Sequence, residues 1–260
     1  MTPPLRWPSE ALWESLAPHL PGFSVEVLPS IDSTNTELMR RARAGQAEPV
    51  LLVAEQQTAG RGRMGRPWHT GTGDALTFSL GLPLAPRDWS GLSLAVGLAV
   101  ADGLEPGGDA IGIKWPNDLW MDGARKLCGI LIETASLPQA STVRYVVIGV
   151  GLNIRPRVAE GLSTPPACLQ ELHPAIEAPD ALARVAAPIA HAVLEFAATG
   201  FAPLAPRFAR RDLLRGRNVN LSDGRSGRCL GVAEDGALRV QTATGLESIT
   251  SAEVSVRPAD

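Results

Sequence analysis

The sequence predicts an α+β protein: a β-sheet flanked by helices, with a small all-β barrel appended at its C-terminal end. Three observations carry that expectation. As far as Arg215, short apolar runs typical of buried strands are interspersed with stretches of helical spacing. Beyond Arg215, five short strand-like runs follow closely, separated by Asp223-Gly224, Asp235-Gly236 and Thr244-Gly245, pairs suited to tight hairpin turns. Finally, a chain of 260 residues with 45% apolar side chains can bury one sizeable core and still carry an appendage. The expected division is 1–212 and 213–260, with the boundary in the stretch Arg211–Gly216.

Taken in order, the first 30 residues are punctuated by proline and leave room for one small helix near Ser9–Leu16. Thr34 with Glu37 three positions later forms a capping-box pattern, and Gly45 is a natural stop, which predicts a helix over 35–44. Val50–Ala54 is a β-branched, apolar run expected to be a buried strand. Residues 55–74, rich in Gly, Arg and polar groups, read as a loop. Ala75–Leu82 reads as a strand, and Ser90–Leu104 as a helix, with Leu92, Val96, Ala99 and Val100 at helical spacing. Ile111–Trp115 is a short strand stopped by Pro116, and Leu127–Glu133 and Tyr145–Val150 are apolar strands joined by a turn. Proline-rich Arg155–Asp180 is expected to be mostly loop. Two helices follow, over 180–198, interrupted at Pro188, and over 203–214. The barrel strands are Val219–Leu221, Arg228–Val232, Ala237–Gln241, Ser248–Thr250 and Val254–Val256.

Charge and composition narrow the function. A net charge of −3 argues against nucleic acid as the main partner, so anion chemistry must rest on local clusters of Arg and Lys. Cys128, Cys168 and Cys229 are odd in number and widely spaced, which fits a reducing compartment and no zinc site. His19, His69, His173 and His191 show no ligand spacing. There is no leader-like N-terminus, and the apolar stretch Leu92–Val100 is too short to span a bilayer. A soluble, cytoplasmic protein without a membrane partner is expected.

Gly60-Arg61-Gly62-Arg63-Met64-Gly65 formally matches GxGxxG. A dinucleotide fold needs a strand before it and a helix after it, yet Gln56-Gln57-Thr58 precedes it and Pro67-Trp68 follows. The Lys and Ser/Thr of a phosphate-binding P-loop are missing too. What remains is Arg61, Arg63 and Arg66 on a backbone loosened by three glycines. Such a loop can close over an anion, because bare backbone N–H groups approach closely and guanidinium forks bind carboxylate and phosphate. Taken alone, it equally suits a solvated basic surface.

Read together, five segments resemble the biotin–protein ligases. Gly60–Trp68 is similar to that family's GRGRxGRxW loop, and Lys114-Trp115-Pro116-Asn117-Asp118 to its KWPND. Lys126–Glu133 resembles KLxGIL(V/I)E, Gly149–Ile154 resembles GxGxN, and Ser33-Thr34-Asn35 matches STN, all in the family's order. The resemblance implies a mixed-sheet domain of the class II synthetase-like, biotin–lipoate ligase-like type with an SH3-like C-terminal domain. It implies ATP-dependent activation of biotin to biotinyl-5′-AMP and transfer to a lysine of a biotin carboxyl carrier protein, with Mg²⁺. Only 32 residues precede Ser33, too few for the winged helix of bifunctional members, so a monofunctional ligase is expected. Members often pair through a sheet edge, which makes a homodimer the implied assembly. The related lipoate or octanoate ligases are disfavoured by the arginine loop and KWPND. A biotin-responsive regulator is disfavoured by the acidic charge, and a non-catalytic binding module by the cationic cluster.

The same resemblance distributes roles. Lys126 would touch both biotin and phosphate and offset the repulsion of two anions; its plainer reading is a strand-end charge. Arg61 and Arg63 would bind phosphate and help the loop shut, excluding water from a labile anhydride. Gly60 and Gly62 supply the loop's close backbone. Trp68 would stack on adenine, or else anchor the loop in the core. Ser33, Thr34, Asn35 and Gln57 would meet the fused rings of biotin, although a helix start also explains Thr34. Lys114 and Asn117 belong to the nucleotide side. Asp118 would take Mg²⁺ or orient ATP, or merely cap a turn. Asn153 would read the adenine edge or cap a turn, and Gly129 and Gly151 would permit close approach.

Overall fold

The computed structural model describes residues 5–68, 71–137, 142–157, 164–250 and 256–259. In chain order the elements begin with α1 (Ser9–Leu16), β1 (Ser24–Leu28), α2 (Thr34–Arg43), β2 (Val50–Ala54), β3 (Ala75–Leu84) and α3 (Leu92–Leu104). Next come β4 (Ile111–Lys114), β5 (Asp118–Met121), β6 (Arg125–Ser136), β7 (Arg144–Asn153), α4 (Ala178–Thr199) and α5 (Ala205–Phe208). The last are β8 (Asn218–Leu221), β9 (Ser226–Val232), β10 (Leu238–Thr242), β11 (Gly245–Ile249) and β12 (Val256–Pro258). The contacts group the chain into two compact units, Met1–Ala85 with Arg125–Ala190, and Pro86–Ala124 with His191–Asp260.

In the first unit the strands run β1-β2-β3-β7-β6. β1 and β2 are parallel, with Ser24 opposite Val50, and the remaining pairs are antiparallel, so this sheet is mixed as expected. α2 lies over it. Leu38, Met39 and Ala42 from the helix pack on Val50, Leu52, Ala135, Tyr145 and Val147 from three strands. Each fully buried aliphatic side chain here contributes about 1.5–3 kcal/mol. Tyr145 fits because Gly81 has no side chain: a Cβ there would lie 2.3 Å from the phenol oxygen. That hydroxyl donates to the Glu48 carbonyl at 3.1 Å, as a buried hydroxyl must.

Some expectations need correction. β1 was not foreseen; it lies between prolines and is half-buried along its whole length. The N-cap of α2 is Ser33, not Thr34, with the Thr36 N–H donating to Ser33 Oγ. Thr34 is diverted because its N–H and hydroxyl both reach Gln57 Oε1, at 2.8 and 3.1 Å. Glu37 turns to Arg40 and Arg41 rather than back to the cap. α4 runs unbroken through Pro188. An interior proline costs about 3 kcal/mol, and the buried face of Ala181, Leu182, Val185, Ile189, Val193 and Phe196 offsets it. α4 is also long and apolar enough by composition to cross a bilayer, but that buried face is the signature of a core helix.

In the second unit, β4 and β5 form a hairpin with Lys114 opposite Asp118. Asp118 therefore begins a strand that the sequence did not announce. The Trp115–Pro116 peptide at the turn is cis. The helix expected over 203–214 is reduced to a 3-10 turn at Ala202–Leu204 and the four residues of α5. Its remainder is drawn into extended pairing with β4: the Ile113 N–H donates to the Arg211 carbonyl and the Leu213 N–H to the Ile113 carbonyl. The buried Arg211 guanidinium secures that segment on the carbonyls of Ile111 and Glu105 and on Asp102. The C-terminal strands form an antiparallel sheet in the order β11-β10-β9-β8-β12. Four of the five fall close to their expected positions; for the fifth, residues 254 and 255 lie outside the described residues.

Candidate active site

Three glycines make the floor of the candidate site in the first unit. Gly129 on β6 lies opposite Gly151 on β7, and Gly149 lies two residues before it. A Cβ at Gly151 would stand 2.5 Å from the Trp68 ring. One at Gly129 would meet Lys126 Nζ at 3.1 Å, and one at Gly149 would meet Asn35 Oδ1 at 2.1 Å. The missing side chains therefore give room to Trp68, Lys126 and Asn35, three residues singled out from the sequence.

The first turn of α2 and the neighbouring strands supply a polar wall. Ser33, Thr34, Asn35 and Ser79 are all buried, which is costly unless each is hydrogen-bonded. Ser79 Oγ lies 2.7 Å from Thr34 Oγ1 and 2.6 Å from Asn35 Oδ1. The Asn35 amide donates to Glu133 Oε2 at 2.9 Å and to the Leu131 carbonyl at 3.3 Å. Thr34 is joined to Gln57 as described. Side chains from α2, β3, β6 and the segment after β2 thus form one connected network, which holds its members in place.

The loop Gly60–Trp68 begins tightly. The Trp68 N–H donates to the Gly60 carbonyl at 2.8 Å and the Gly62 N–H to the Arg66 carbonyl at 2.7 Å. Gly60 must be glycine, since a Cβ would sit 2.4 Å from the Trp68 carbonyl oxygen. At the tip, Arg63–Gly65 makes one 3-10 turn, with Met64 and Gly65 at φ of 57° and 71°. The Arg61 guanidinium reaches Glu133 at 3.3 Å and Thr36 Oγ1 at 3.2 Å.

Lys126 is fixed through its backbone. Its N–H donates to the Pro165 carbonyl, and its carbonyl accepts from the Ala167 N–H and from the Asn153 amide at 3.1 Å. Asn153 also donates to the Ala167 carbonyl, while its buried Oδ1 has no hydrogen-bond partner among the described residues. Lys126 Nζ lies 5.6 Å from the Trp68 ring centroid, and the Arg157 guanidinium lies 5.5 Å from the same ring, both within cation–π range. Burial pulls the Arg157 pKa below its ordinary value, opposed by the nearby Asp74 carboxylate.

Lys114, Asn117 and Asp118 belong to the β4–β5 hairpin of the second unit. Lys114 is 8% exposed, with Nζ 5.1 Å from the Trp120 ring centroid. Trp115 is buried, and its indole N–H donates to the Gly236 carbonyl at 3.1 Å. Gly236, at φ 84°, sits so close to Gly91 that a Cβ would approach its Cα to 2.6 Å. The Ser93 hydroxyl holds the Pro116 carbonyl at 2.8 Å.

Sequence reading missed Thr36, Ser79, Glu133 and Arg157. Ser79 left a faint signal, a polar residue within a strand that is buried everywhere but at Pro83. Glu133 closes a quoted motif but had no role. Arg157 had no local signal.

Comparison with known proteins fits this geometry. Residues 27–153 match the model of the biotin/lipoate A/B protein ligase family, and residues 216–257 match that of the biotin protein ligase C-terminal domain. The bifunctional ligase/repressor BirA of Escherichia coli is 34% identical over 256 residues, spanning 93% of this chain and 76% of that protein. The biotin–[acetyl-CoA-carboxylase] ligase of Paracoccus denitrificans is 31% identical over 243 residues, spanning 88% of this chain and 98% of that one. The biotin protein ligase of Aquifex aeolicus, solved in complex with biotin and ATP, superposes with a TM-score of 0.76 at 27% identity, covering 90% of this chain and 99% of the other. Quoted motifs, sheet order, C-terminal sheet and relatives all converge: this chain belongs to the biotin protein ligase family.

Proposed function

We propose that this chain activates biotin with ATP, forming biotinyl-5′-AMP and pyrophosphate, and then passes the biotinyl group to a lysine of a biotin carboxyl carrier protein. The observation that supports this most is Lys126. Its backbone is clamped at the start of β6, and its ammonium stands beside Trp68 over a floor of glycines. In the first step a biotin carboxylate oxygen attacks the α-phosphorus and pyrophosphate leaves. Two unit charges 4 Å apart repel by about 4 kcal/mol at an effective dielectric of 20. A fixed ammonium offsets that repulsion and the charge developing in the transition state.

The other roles follow from position. Ser33, Thr34, Asn35 and Gln57 form the polar wall suited to the ureido ring of biotin, and Gly129 and Gly151 leave room for the ligand. Gly60 and Gly62 present backbone, and Arg61 and Arg63 bring the loop's positive charge. Trp68 offers adenine a large π face, and the Asn153 Oδ1 acceptor suits the adenine amino group. Lys114, Asn117 and Asp118 are assigned to the nucleotide, and Asp118 is the residue that would hold Mg²⁺. Among the described residues no group of three or more His, Cys, Asp or Glu gathers to hold a metal. Mg²⁺ binds through one or two carboxylates plus substrate phosphates; when bound it would screen the phosphate charge. The second step needs no enzyme nucleophile: the carrier lysine amine attacks the activated carbonyl and AMP leaves, with proximity supplying much of the rate. The setting is cytoplasmic, without nucleic acid or membrane, and a homodimer is the assembly that the resemblance implies.

The test is incubation with ATP, Mg²⁺ and biotin. Biotinyl-AMP and pyrophosphate should appear, and Lys126→Ala should abolish both while leaving the thermal midpoint unchanged. Activation of lipoate with biotin ignored would defeat the reading.

A further inference from the structure

The outer face of the C-terminal sheet gathers positive charge that the fold does not use. Strand register puts its arginines together. Arg228 on β9 lies between Asn218 on β8 and Gln241 on β10, and Gln241 lies opposite Leu246 on β11. Arg239 stands two residues before Gln241, and Arg257 on β12 lies opposite Asn220, two residues after Asn218. Alternation along each strand therefore sets all of them on one side of the sheet. Arg228, Arg239 and Arg257 are exposed. Among the described residues none of the three makes a hydrogen bond or an ion pair, whereas Arg207, Arg211 and Arg225 of the same unit are each held by a carboxylate. The one acidic residue in the five described strands, Glu247, alternates to the other side, opposite buried Val240. Two exposed leucines accompany the arginines. Leu246 is 49% exposed, and Leu230, the extra residue of the bulge facing Arg239 and Val240, is 42% exposed.

We propose that this face docks the biotin-accepting carrier through an acidic, partly apolar surface of that protein. The proposal rests on the functional reading above, which calls for a protein substrate, and adds the surface that holds it and the charge that the substrate must bring. On a chain of net charge −3, such a patch reverses the overall sign locally and so selects an acidic partner. Five strands about 4.8 Å apart and about five residues long give a face of roughly 400 Å². A stable complex buries about 800 Å² on each partner, so this face suits a substrate that leaves after each turnover. Complementary charge speeds encounter more than it deepens affinity, which serves the same end. Nucleic acid fits less well. Three cations are few beside the roughly six to ten phosphate contacts of a DNA-binding protein, and a sugar–phosphate backbone gives the leucines nothing apolar to cover.

The experiment uses the whole chain and a purified biotin carboxyl carrier domain. Arg228→Glu, Arg239→Glu and the two combined are compared with wild type, and Leu230→Ser serves as an uncharged variant. The readouts are the carrier Kd by calorimetry, KM and kcat for biotin transfer at low and high salt, adenylate formation without carrier, and the thermal midpoint. At low salt each reversal should weaken carrier binding several-fold and the pair about tenfold, through KM rather than kcat, with the difference shrinking at high salt. Leu230→Ser should weaken binding several-fold at either salt. Adenylate formation and the thermal midpoint should stay unchanged in every variant. Carrier binding unchanged in the double reversal would overturn the proposal, as would a loss of adenylate formation that matches the loss of transfer. An unchanged carrier KM with weakened self-association, or with weakened binding of duplex DNA, would also overturn it and give the face to a second copy or to nucleic acid. A wild type that makes no biotinyl-AMP would defeat the functional reading, while calorimetry with the carrier domain still decides the docking face.

Discussion

Two of the motif segments solve the problem of placing a cation in opposite ways. The loop Gly60–Trp68 is tied down at its base, where Gly60 abuts the Trp68 carbonyl and Arg61 meets Glu133, and Met64 at its tip is exposed. The hairpin turn from Lys114 to Asp118 is walled in. Trp115 is 1% exposed and donates to the Gly236 carbonyl, Pro116 is held by Ser93, and Lys114 packs on Trp120. The first arrangement suits a charge that must arrive after its ligand. The second suits a charge that must already be in place, since preorganised charge needs no rearrangement during the reaction. Glycine serves both, but differently: as close-approach backbone in the loop, and as the space beside Gly91 that lets the Asp235–Gly236 turn reach Trp115.

If that contrast holds, damage to the walled-in segment should appear as lost stability, and damage to the loop as altered ligand handling. The largest effect is expected for Trp115→Ala, which empties a fully buried indole site and should cost about 3–5 kcal/mol in chemical denaturation. Gly236→Val should act in the same direction, because its Cβ meets the backbone of Gly91 and its φ is left-handed. Gly151→Val should come next. Its side chain would occupy the place of the Trp68 ring, and calorimetry should show ATP affinity down by about tenfold, roughly 1.4 kcal/mol, with a smaller change for biotin. The smallest effect is expected for Met64→Gly. Relief of a left-handed non-glycine residue offers about 1–2 kcal/mol, against which stands the greater chain entropy of glycine, so the thermal midpoint should move little. A collapse in stability there would show that the tip is as fixed as the hairpin.

The sequence singled out the motif segments more readily than some of the elements that carry them. Segments such as Gly60–Trp68 and Lys126–Glu133 are legible because their unusual residue types crowd together along the chain. Ser79 and Glu133 are not, because their value depends on strand register. Ser79 lies opposite Gly149, and only that pairing, with Gly149 lacking a side chain, admits Asn35 between them. The same holds for the elements. β2 and α3 are dense in apolar residues and could be read locally. The helix expected over 203–214 was cut short by pairing of Arg211 and Leu213 with Ile113, some hundred residues away, and nothing in the local sequence announces that. Pro188 misled in the other direction, since the cost of an interior proline is local while the packing that overrides it is not.

The proposed function is that a clamped lysine and an arginine-bearing loop bring a biotin carboxylate to the α-phosphate of ATP on behalf of a carrier lysine. Mass spectrometry of a purified carrier domain, incubated with this protein, biotin and Mg²⁺ in the presence and absence of ATP, measures that outcome directly. A single biotinyl adduct on one carrier lysine, dependent on ATP and lost with Lys126→Ala, is the predicted result. An unmodified carrier in the presence of ATP, or an adduct that forms equally well without it, would contradict the account.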